Sequence, residues 1–392
     1  MERFDPLHPI ARQTLLLEAS AGTGKTYSIS GKIVRLIAEE GIDIDRILIV
    51  TFTRAATAEL VDRIRSILIE ARDALEAKAS SDHVVIAGLK KRADEEGPAS
   101  PLRERYLTRL KRAIARFDLA SIFTIHSFSE RALSLAAFEI GFDPSHELVA
   151  DIRDAIHRAS DDLFLEALQI DRGERGGSAS IEEAENGDRG FRLRDEHEFR
   201  PETFRKLAEA RWSLRDAAIA RLVGVDESDS GSSRDAVWMR TISHFCERIV
   251  DRIERELEKR RAIGFDQLIH HLKRALEDET MREALIGALR SRYDAALIDE
   301  FQDTDEAQWA IFRTIFGDGK IFELVGDPKQ AIYSFRGADI EVYKRARREA
   351  SKRYTLDINY RSSPDYIQAM NLFFGTTAGL SSDGLGYEAS TP

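Results

Sequence analysis

The eight residues "ASAGTGKT", Ala19 to Thr26, constrain this chain more than any other stretch. The apolar run "TLLLEA" leads into them and a helical pattern follows, so a strand ends in a turn of small residues and a helix opens on the far side. In that setting the backbone of Ala19, Ser20, Ala21, Gly22, Thr23 and Gly24 can close around an anion. Glycine allows the close approach, and the helix start supplies unpaired N–H donors. Lys25 then reaches the β- and γ-phosphates of a nucleoside triphosphate, and Thr26 offers a hydroxyl to Mg²⁺. Ala19 stands where the usual pattern has glycine. Alone, such an octet also fits a plain strand-to-helix turn, so the reading needs a partner elsewhere in the chain.

The partner is "ALIDEFQDTD", Ala296 to Asp305, an apolar strand that ends abruptly in acids. Two adjacent carboxylates at the carboxyl end of a strand fall in the crevice where open α/β sheets bind their ligands. Asp299 is placed to hold Mg²⁺, directly or through water, and Glu300 to orient and deprotonate an attacking water. An acidic helix cap accounts for one or two such acids, but not for their pairing with the Gly-rich loop upstream.

Around these motifs the chain alternates strand and helix. "TLLLEA" and "RILIVTF" read as buried parallel strands, each followed by a helix, and strand signals return in "YDAALIDE", "KIFELVGD" and "YTLDIN". The pattern predicts an α/β fold with a parallel sheet flanked by helices, in two parts, 1–128 and 263–356, separated by an all-helical insertion at 129–262. Within the insertion, 171–190 and 226–235 are polar and rich in glycine and serine, as mobile loops are. Residues 357–392 form the remainder, and their last stretch has the composition of a frayed tail.

With 43% hydrophobic residues among 392, real cores are expected. A net charge of −11 means that any nucleic-acid site is a local basic track. Two runs offer one: 103–116 and 343–354 each carry six Lys or Arg against one Glu, and either one or both line a DNA path or both are solvated helix faces. The single cysteine, Cys246, rules out a disulfide framework and reads as a buried helical thiol. His270 and His271 lack further ligands at metal spacing and read as structural. No apolar signal core or 18-residue apolar stretch is present, so the expectation is a cytoplasmic protein without a membrane partner.

Six motifs follow one another in order: "ASAGTGKT", "VTFTRAATAEL", "FTIHSF", "LIDEFQDTD", "LVGDPKQAIYSFRGAD" and "LDINYRSS". Over about 15–374 the chain thereby resembles superfamily 1 helicases of the UvrD/RecB type, and "EASAGTGKT" and "IFTIHSF" resemble the RecB-like group of exodeoxyribonuclease V β subunits. The resemblance implies a RecA-like P-loop NTPase domain that uses ATP and Mg²⁺ to move on single-stranded DNA. It also implies action at duplex DNA ends in double-strand break repair by recombination, with RecC- and RecD-type subunits as partners. On this resemblance Gln330 senses the γ-phosphate, Arg361 is an arginine finger and Tyr360 stacks on adenine. Tyr333 and Phe335 are candidates for stacking on bases, with ordinary core aromatics as the alternative, and Arg336 pairs with phosphate or a carboxylate. Thr51, Phe52, Thr53, Arg54 and Thr124 touch single-stranded DNA, and His126 is either a DNA contact or a structural histidine.

The chain departs from the family in two ways. Gln13 is not at the spacing of an adenine-reading glutamine, and no "KGLE"- or "TRA"-type motif of a second RecA-like domain, nor a nuclease domain, follows Arg361. The expectation is an amino-terminal portion of a longer motor, in which 357–392 is the start of a truncated second RecA-like domain and a tail that does not hold Arg361 near the phosphates, with no unwinding by the chain alone. Two alternatives remain: a non-catalytic module that binds nucleotide or DNA, and a fragment of a UvrD-like repair helicase.

Overall fold

The computed structural model describes residues 1–77, 79–95, 97, 100–174, 200–213, 234–331 and 340–376. Its contacts divide the chain into two compact units, Met1–Pro144 with Leu268–Pro392, and Ser145–Gln267.

The first unit is built on a seven-stranded sheet. In chain order its strands are β1 (Glu2–Arg3), β2 (Thr14–Ala19), β3 (Ile47–Thr51) and β4 (Ser121–Thr124); after the strands β5 (Glu147–Val149) and β6 (Ala262–Gly264) of the second unit come β7 (Ala295–Ile298), β8 (Ile321–Gly326) and β9 (Lys352–Leu356). The order across the sheet is β1-β9-β2-β8-β7-β3-β4, and every pairing is parallel. Every residue of β2, β3, β7 and β8 is buried, which is why these strands read as unbroken apolar runs rather than alternations.

Parallel strands need crossovers, and helices supply them. The Lys25–Ala38 helix follows β2 and buries Ile29, Ile33, Val34 and Leu36 against the sheet. The Arg54–Leu75 helix follows β3 and buries Leu60, Ile64, Ile67, Leu68 and Ala71 at the 3.6-residue period. Because all seven strands run the same way, their carboxyl ends share one edge. Ala19, Thr51, Thr124, Ile298 and Gly326 end their strands there, and the motifs that follow them come together although they lie hundreds of residues apart.

Among the described residues, the second unit packs the helices Arg153–Glu174, Pro201–Ser213 and Arg234–Lys259 around Ile156, Leu163, Phe204, Trp212, Phe245, Ile249, Ile253 and Leu257. Cys246 is buried in this core, and burial pushes its thiol pKa up. The unit also holds a short parallel pair, β5 with β6, whose three-residue strands are too brief to show a period in sequence. The contacts draw the borders of this unit later than 129 and 262, because the Ile125–Leu135 and Ala137–Ile140 helices pack on the Glu279–Arg292 helix of the first unit. Of the two polar stretches singled out in sequence, 175–190 and 226–233 lie outside the described residues.

Candidate active site

The Gly-rich loop leaves β2 at Ala19 and turns on Thr23, whose N–H and hydroxyl both donate to Ser20 O, at 3.2 and 2.8 Å. Gly22 and Gly24 have φ of +81° and +92°, a region that side chains oppose. Gly24 caps the Lys25–Ala38 helix without a side-chain bond to its first N–H groups, so the helix start faces the loop with donors available to an anion. Lys25 and Thr26 are the first two helical residues.

Lys25 Nζ donates to Glu300 Oε2 at 2.6 Å, joining the two motifs picked out in sequence across 275 residues. Asp299 and Glu300 follow the end of β7, where Asp299 N donates to Val50 O at 2.9 Å and Glu300 N to Asp299 Oδ1 at 2.9 Å. Glu300 takes a left-handed backbone, φ 51° and ψ 43°, a conformation that is costly for a residue with a side chain. Burial, and then the charge of Glu300, pushes the Asp299 carboxyl up to about 6. Asp303 rises to about 6 for the same two reasons, and its buried Oδ1 has no hydrogen-bond partner. Two acids whose carboxyls burial and Glu300 push up against the pull of Lys25, beside the threonine and the N–H groups of a helix start, are a donor set that fits a hard divalent cation carried with phosphate. Among the described residues no three His, Cys, Asp or Glu are grouped to hold a metal by themselves.

Gln330 ends the short turn Pro328–Gln330 that follows β8. Its Nε2 donates to Asp327 Oδ2 at 2.7 Å, and Lys329 Nζ donates to Ser20 Oγ at 2.7 Å. Tyr333, Phe335 and Arg336 lie outside the described residues.

The "NYRSS" segment differs from the sequence expectation for Arg361, because it is docked on the Gly-rich loop. Asn359 Nδ2 donates to Ala21 O at 2.8 Å, and Tyr360 N donates to Gly22 O at 2.9 Å. Asn359 Oδ1 accepts from Arg361 N at 2.9 Å and Ser362 N at 3.0 Å, which shapes the turn. A Cβ on Gly22 would stand 2.7 Å from Arg361 Cβ, so only glycine allows this approach. Both the Tyr360 and Arg361 side chains are exposed over the loop.

Of the residues expected to touch DNA, Thr51, Phe52, Thr53, Arg54, Thr124 and His126 stand at or just beyond the carboxyl ends of β3 and β4, on the same edge. Thr51 Oγ1 bonds Thr57 Oγ1 at 2.5 Å, Thr53 Oγ1 accepts from Ala56 N at 3.1 Å, and Thr124 Oγ1 accepts from Ser127 N at 3.3 Å. Thr53 and Thr124 are therefore helix N-caps, which explains hydroxyls at these places whatever else they bind. Phe52 and His126 are half-buried, and Arg54 is exposed.

The run 103–116 is placed differently. Arg103 pairs with Asp94, Lys111 with Glu76 at 2.6 Å, and Arg112 with Asp43, while Arg109 Nη1 donates to Ala38 O and Glu39 O at 2.6 and 2.7 Å. Asp43 lies just before β3, on the edge opposite the site. In the run 343–354, Arg347 pairs with Glu18 at 3.0 Å and Arg345 with Glu306, whereas Arg348, Lys352 and Arg353 are exposed.

Sequence reasoning passed over Gln302, Asp303, Asp327 and Asn359. The only signal for the first two is their place in the "DEFQD" string, and for Asn359 its place beside Arg361 in "LDINYRSS".

A wholly parallel sheet whose carboxyl edge gathers a Gly-rich helix start, a lysine and paired acids defines the P-loop class of α/β proteins. Within that class, the UvrD/REP helicase N-terminal domain family matches residues 2–351, and the chain belongs to it. It is 33% identical to the RecBCD enzyme subunit RecB of Mycobacterium tuberculosis over 94% of this chain and 30% of that protein. The RecB subunit of Escherichia coli K12 is 30% identical over 96% of this chain and 39% of its own length, and that of Mycolicibacterium smegmatis 32% over 94% and 31%. The chain thus spans about a third of the length of these curated relatives. No helix among the described residues is long and apolar enough to cross a membrane.

Proposed function

We propose that this chain is the ATP-binding motor portion of a RecB-type helicase subunit, coupling ATP hydrolysis to movement on single-stranded DNA in recombinational repair of double-strand breaks. The observation that carries the reading is the meeting of Lys25 and Glu300 at 2.6 Å, beneath a helix start left open to an anion. The N–H groups of the loop bind the phosphates, and Lys25 exchanges Glu300 for the β- and γ-oxygens. Thr26 and Asp299 are the residues that would hold Mg²⁺, which supplies charge neutralisation at the phosphates. Glu300, freed from Lys25, orients a water and takes its proton, a role worth about 10²–10⁴ in rate. Gln330 and Arg361 approach from two other segments of the same edge, the first from the turn after β8 and the second from the turn held by Asn359. The similarity to RecB subunits extends the proposal to RecC- and RecD-type partners and to duplex DNA ends as the place of action.

ATP hydrolysis by the chain, measured with and without oligo(dT), tests the reading. We expect DNA to stimulate turnover, Lys25→Ala to abolish Mg·ATP binding, and Glu300→Gln to keep binding while removing turnover. Nucleotide binding without any hydrolysis, with or without DNA, would leave a binding module in place of a motor. ATP affinity unchanged in Lys25→Ala would remove the site altogether.

A further inference from the structure

We propose that Gln302 is a positioning residue that holds the Glu300 carboxylate with one end of its amide and braces the turn carrying Gln330 with the other. The inference rests on the ATPase reading above and deepens it.

Gln302 sits on the short 3-10 turn Phe301–Asp303 that follows Glu300, and only 3% of it is exposed. Its Nε2 donates to Glu300 Oε2 at 2.7 Å, and its Oε1 accepts from Asp327 N at 2.9 Å. Neither half of the amide can be exchanged for the other, since turning it over would set an oxygen against the carboxylate and an NH₂ against the Asp327 N–H. Asp327 continues the chain of bonds: Oδ1 accepts from Lys329 N at 3.1 Å and Oδ2 from Gln330 Nε2 at 2.7 Å. Glu300, Gln302, Asp327 and Gln330 are thereby one connected network spanning the ends of β7 and β8.

The packing is tight enough to make the network specific. A Cβ on Gly326, the last residue of β8, would lie 2.8 Å from Gln302 Oε1 and 3.2 Å from Gln302 N. Glycine there lets the strand end approach the turn. The left-handed backbone of Glu300 also needs outside support, because strained conformations persist only where the surroundings over-determine them. Lys25 and Gln302 share the same oxygen, Glu300 Oε2. When Lys25 turns to phosphate, Gln302 is the partner that keeps this oxygen in place. The base therefore stays aimed at the moment its countercharge leaves, and Gln330 stays in register with it.

The test compares the wild-type chain with Gln302→Met, which keeps volume and loses both bonds, and Gln302→Glu, which keeps an acceptor for Asp327 N–H but turns an oxygen against Glu300. Three quantities are read: turnover of ATP with oligo(dT), affinity for a fluorescent non-hydrolysable ATP analogue, and amide hydrogen exchange over 324–331. We expect both variants to lose about tenfold or more in kcat, as the loss of a hydrogen bond to a charged group does, with analogue affinity changed less than about threefold. Exchange at the Asp327 amide should be slow in wild type, about tenfold faster in Gln302→Met, and close to wild type in Gln302→Glu. A kcat within twofold of wild type in Gln302→Met overturns the hold on Glu300. Unprotected exchange at Asp327 in wild type, or unchanged exchange in Gln302→Met, overturns the brace. The exchange measurement needs no turnover, so a wild-type chain that fails to hydrolyse ATP but shows the exchange contrast sinks the ATPase reading and leaves the brace standing.

Discussion

One helix carries two lysine–glutamate pairs, seven residues apart on the same face, and they differ in almost everything but chemistry. Lys25, at the helix start, meets Glu300 at 2.6 Å with side chains 14% and 33% exposed. Lys32, two turns on, meets Glu323 of β8 at 3.1 Å with side chains 7% and 1% exposed. The outer pair sits where water and a nucleotide can reach, so its charges can trade partners at little cost. The inner pair is closed on all sides, and neither oxygen of Glu323 accepts a well-aligned hydrogen bond. Such a pair contributes little to stability as a pair, yet breaking it strands a charge. Position along the helix, rather than residue type, separates the exchangeable pair from the fixed one.

The sharpest way to break the comparison is to remove each lysine in turn. Lys32→Met leaves Glu323 buried without a cation, and we expect a loss of about 3–5 kcal/mol in unfolding free energy, read by denaturant melts. Replacing both members, Lys32→Met with Glu323→Leu, should recover most of that loss. Lys25→Ala, by contrast, should change stability by no more than about 1 kcal/mol, because Glu300 keeps Gln302 and some contact with water. Equal losses in the two single variants would erase the distinction.

The outer pair makes a second and smaller prediction. Since Lys25 must leave Glu300 to bind phosphate, Glu300→Gln should weaken the competing interaction and tighten binding of a non-hydrolysable ATP analogue by about tenfold, roughly 1.4 kcal/mol. Isothermal titration would read it. Weaker binding in Glu300→Gln would mean that the pair does not compete with nucleotide.

These pairs also show what was legible in the sequence. The strands, the loop and the Asp299–Glu300 pair announce themselves because the signal is local: apolar runs buried on both faces, small residues at a turn, acids at a strand end. Lys32 and Glu323 carried no such mark, since their pairing exists only once β8 lies beside β2 in the sheet. Gln302 was equally silent, because its partner Asp327 is 25 residues away. The docking of Asn359 on Ala21 spans 338 residues, and judging Arg361 by the chain that follows it missed the bonds to the loop that precedes it. Thr53 and Thr124 were noticed for a different reason from the one the fold displays, as each caps the helix that follows.

Between the two lysines lies Tyr27, which extends the comparison to pH. Its ring stacks on His83 at 3.8 Å and 19°, and its hydroxyl accepts from Val84 N at 2.9 Å. Burial, opposed by the Tyr27 contact and by Glu70 and reinforced by Arg63, holds the His83 pKa below its usual 6.5. A histidine that binds its proton less readily folded than unfolded favours the fold while neutral. That contribution is complete above pH 6.5 and is lost as pH falls through 6.5 toward the lower folded value. Asp299 and Asp303 act in the opposite sense, their raised values making the fold relatively more stable as pH falls from about 6 toward 4. The contribution of His83 is therefore read as a difference: His83→Phe keeps the stack on Tyr27 and should flatten the fall in stability between pH 7 and 5.5 relative to wild type. Parallel pH profiles for the two proteins would show that His83 does not titrate in this range.

The smallest effect belongs to the basic run 103–116, which by charge alone looked as fit to meet DNA as the site edge. Arg112 and Arg116 face Asp43 and Asp45, ahead of β3 and so at the opposite edge from Lys25 and Glu300. Ion pairs this exposed are worth about 0–1 kcal/mol, so Arg112→Ala should barely move stability. Its effect on DNA is the more telling measurement. Each phosphate neutralised on a single strand adds about 0.7 to the slope of log affinity against log salt. If the run is a structural face, Arg112→Ala leaves both the affinity for oligo(dT) and that slope as they are in wild type, whereas Arg54→Ala, at the site edge, lowers the slope by about 0.7. A slope that falls in Arg112→Ala and holds in Arg54→Ala would put the strand on the far edge of the sheet, away from Lys25 and Glu300, and would undo the link between nucleotide and DNA on which the motor reading depends.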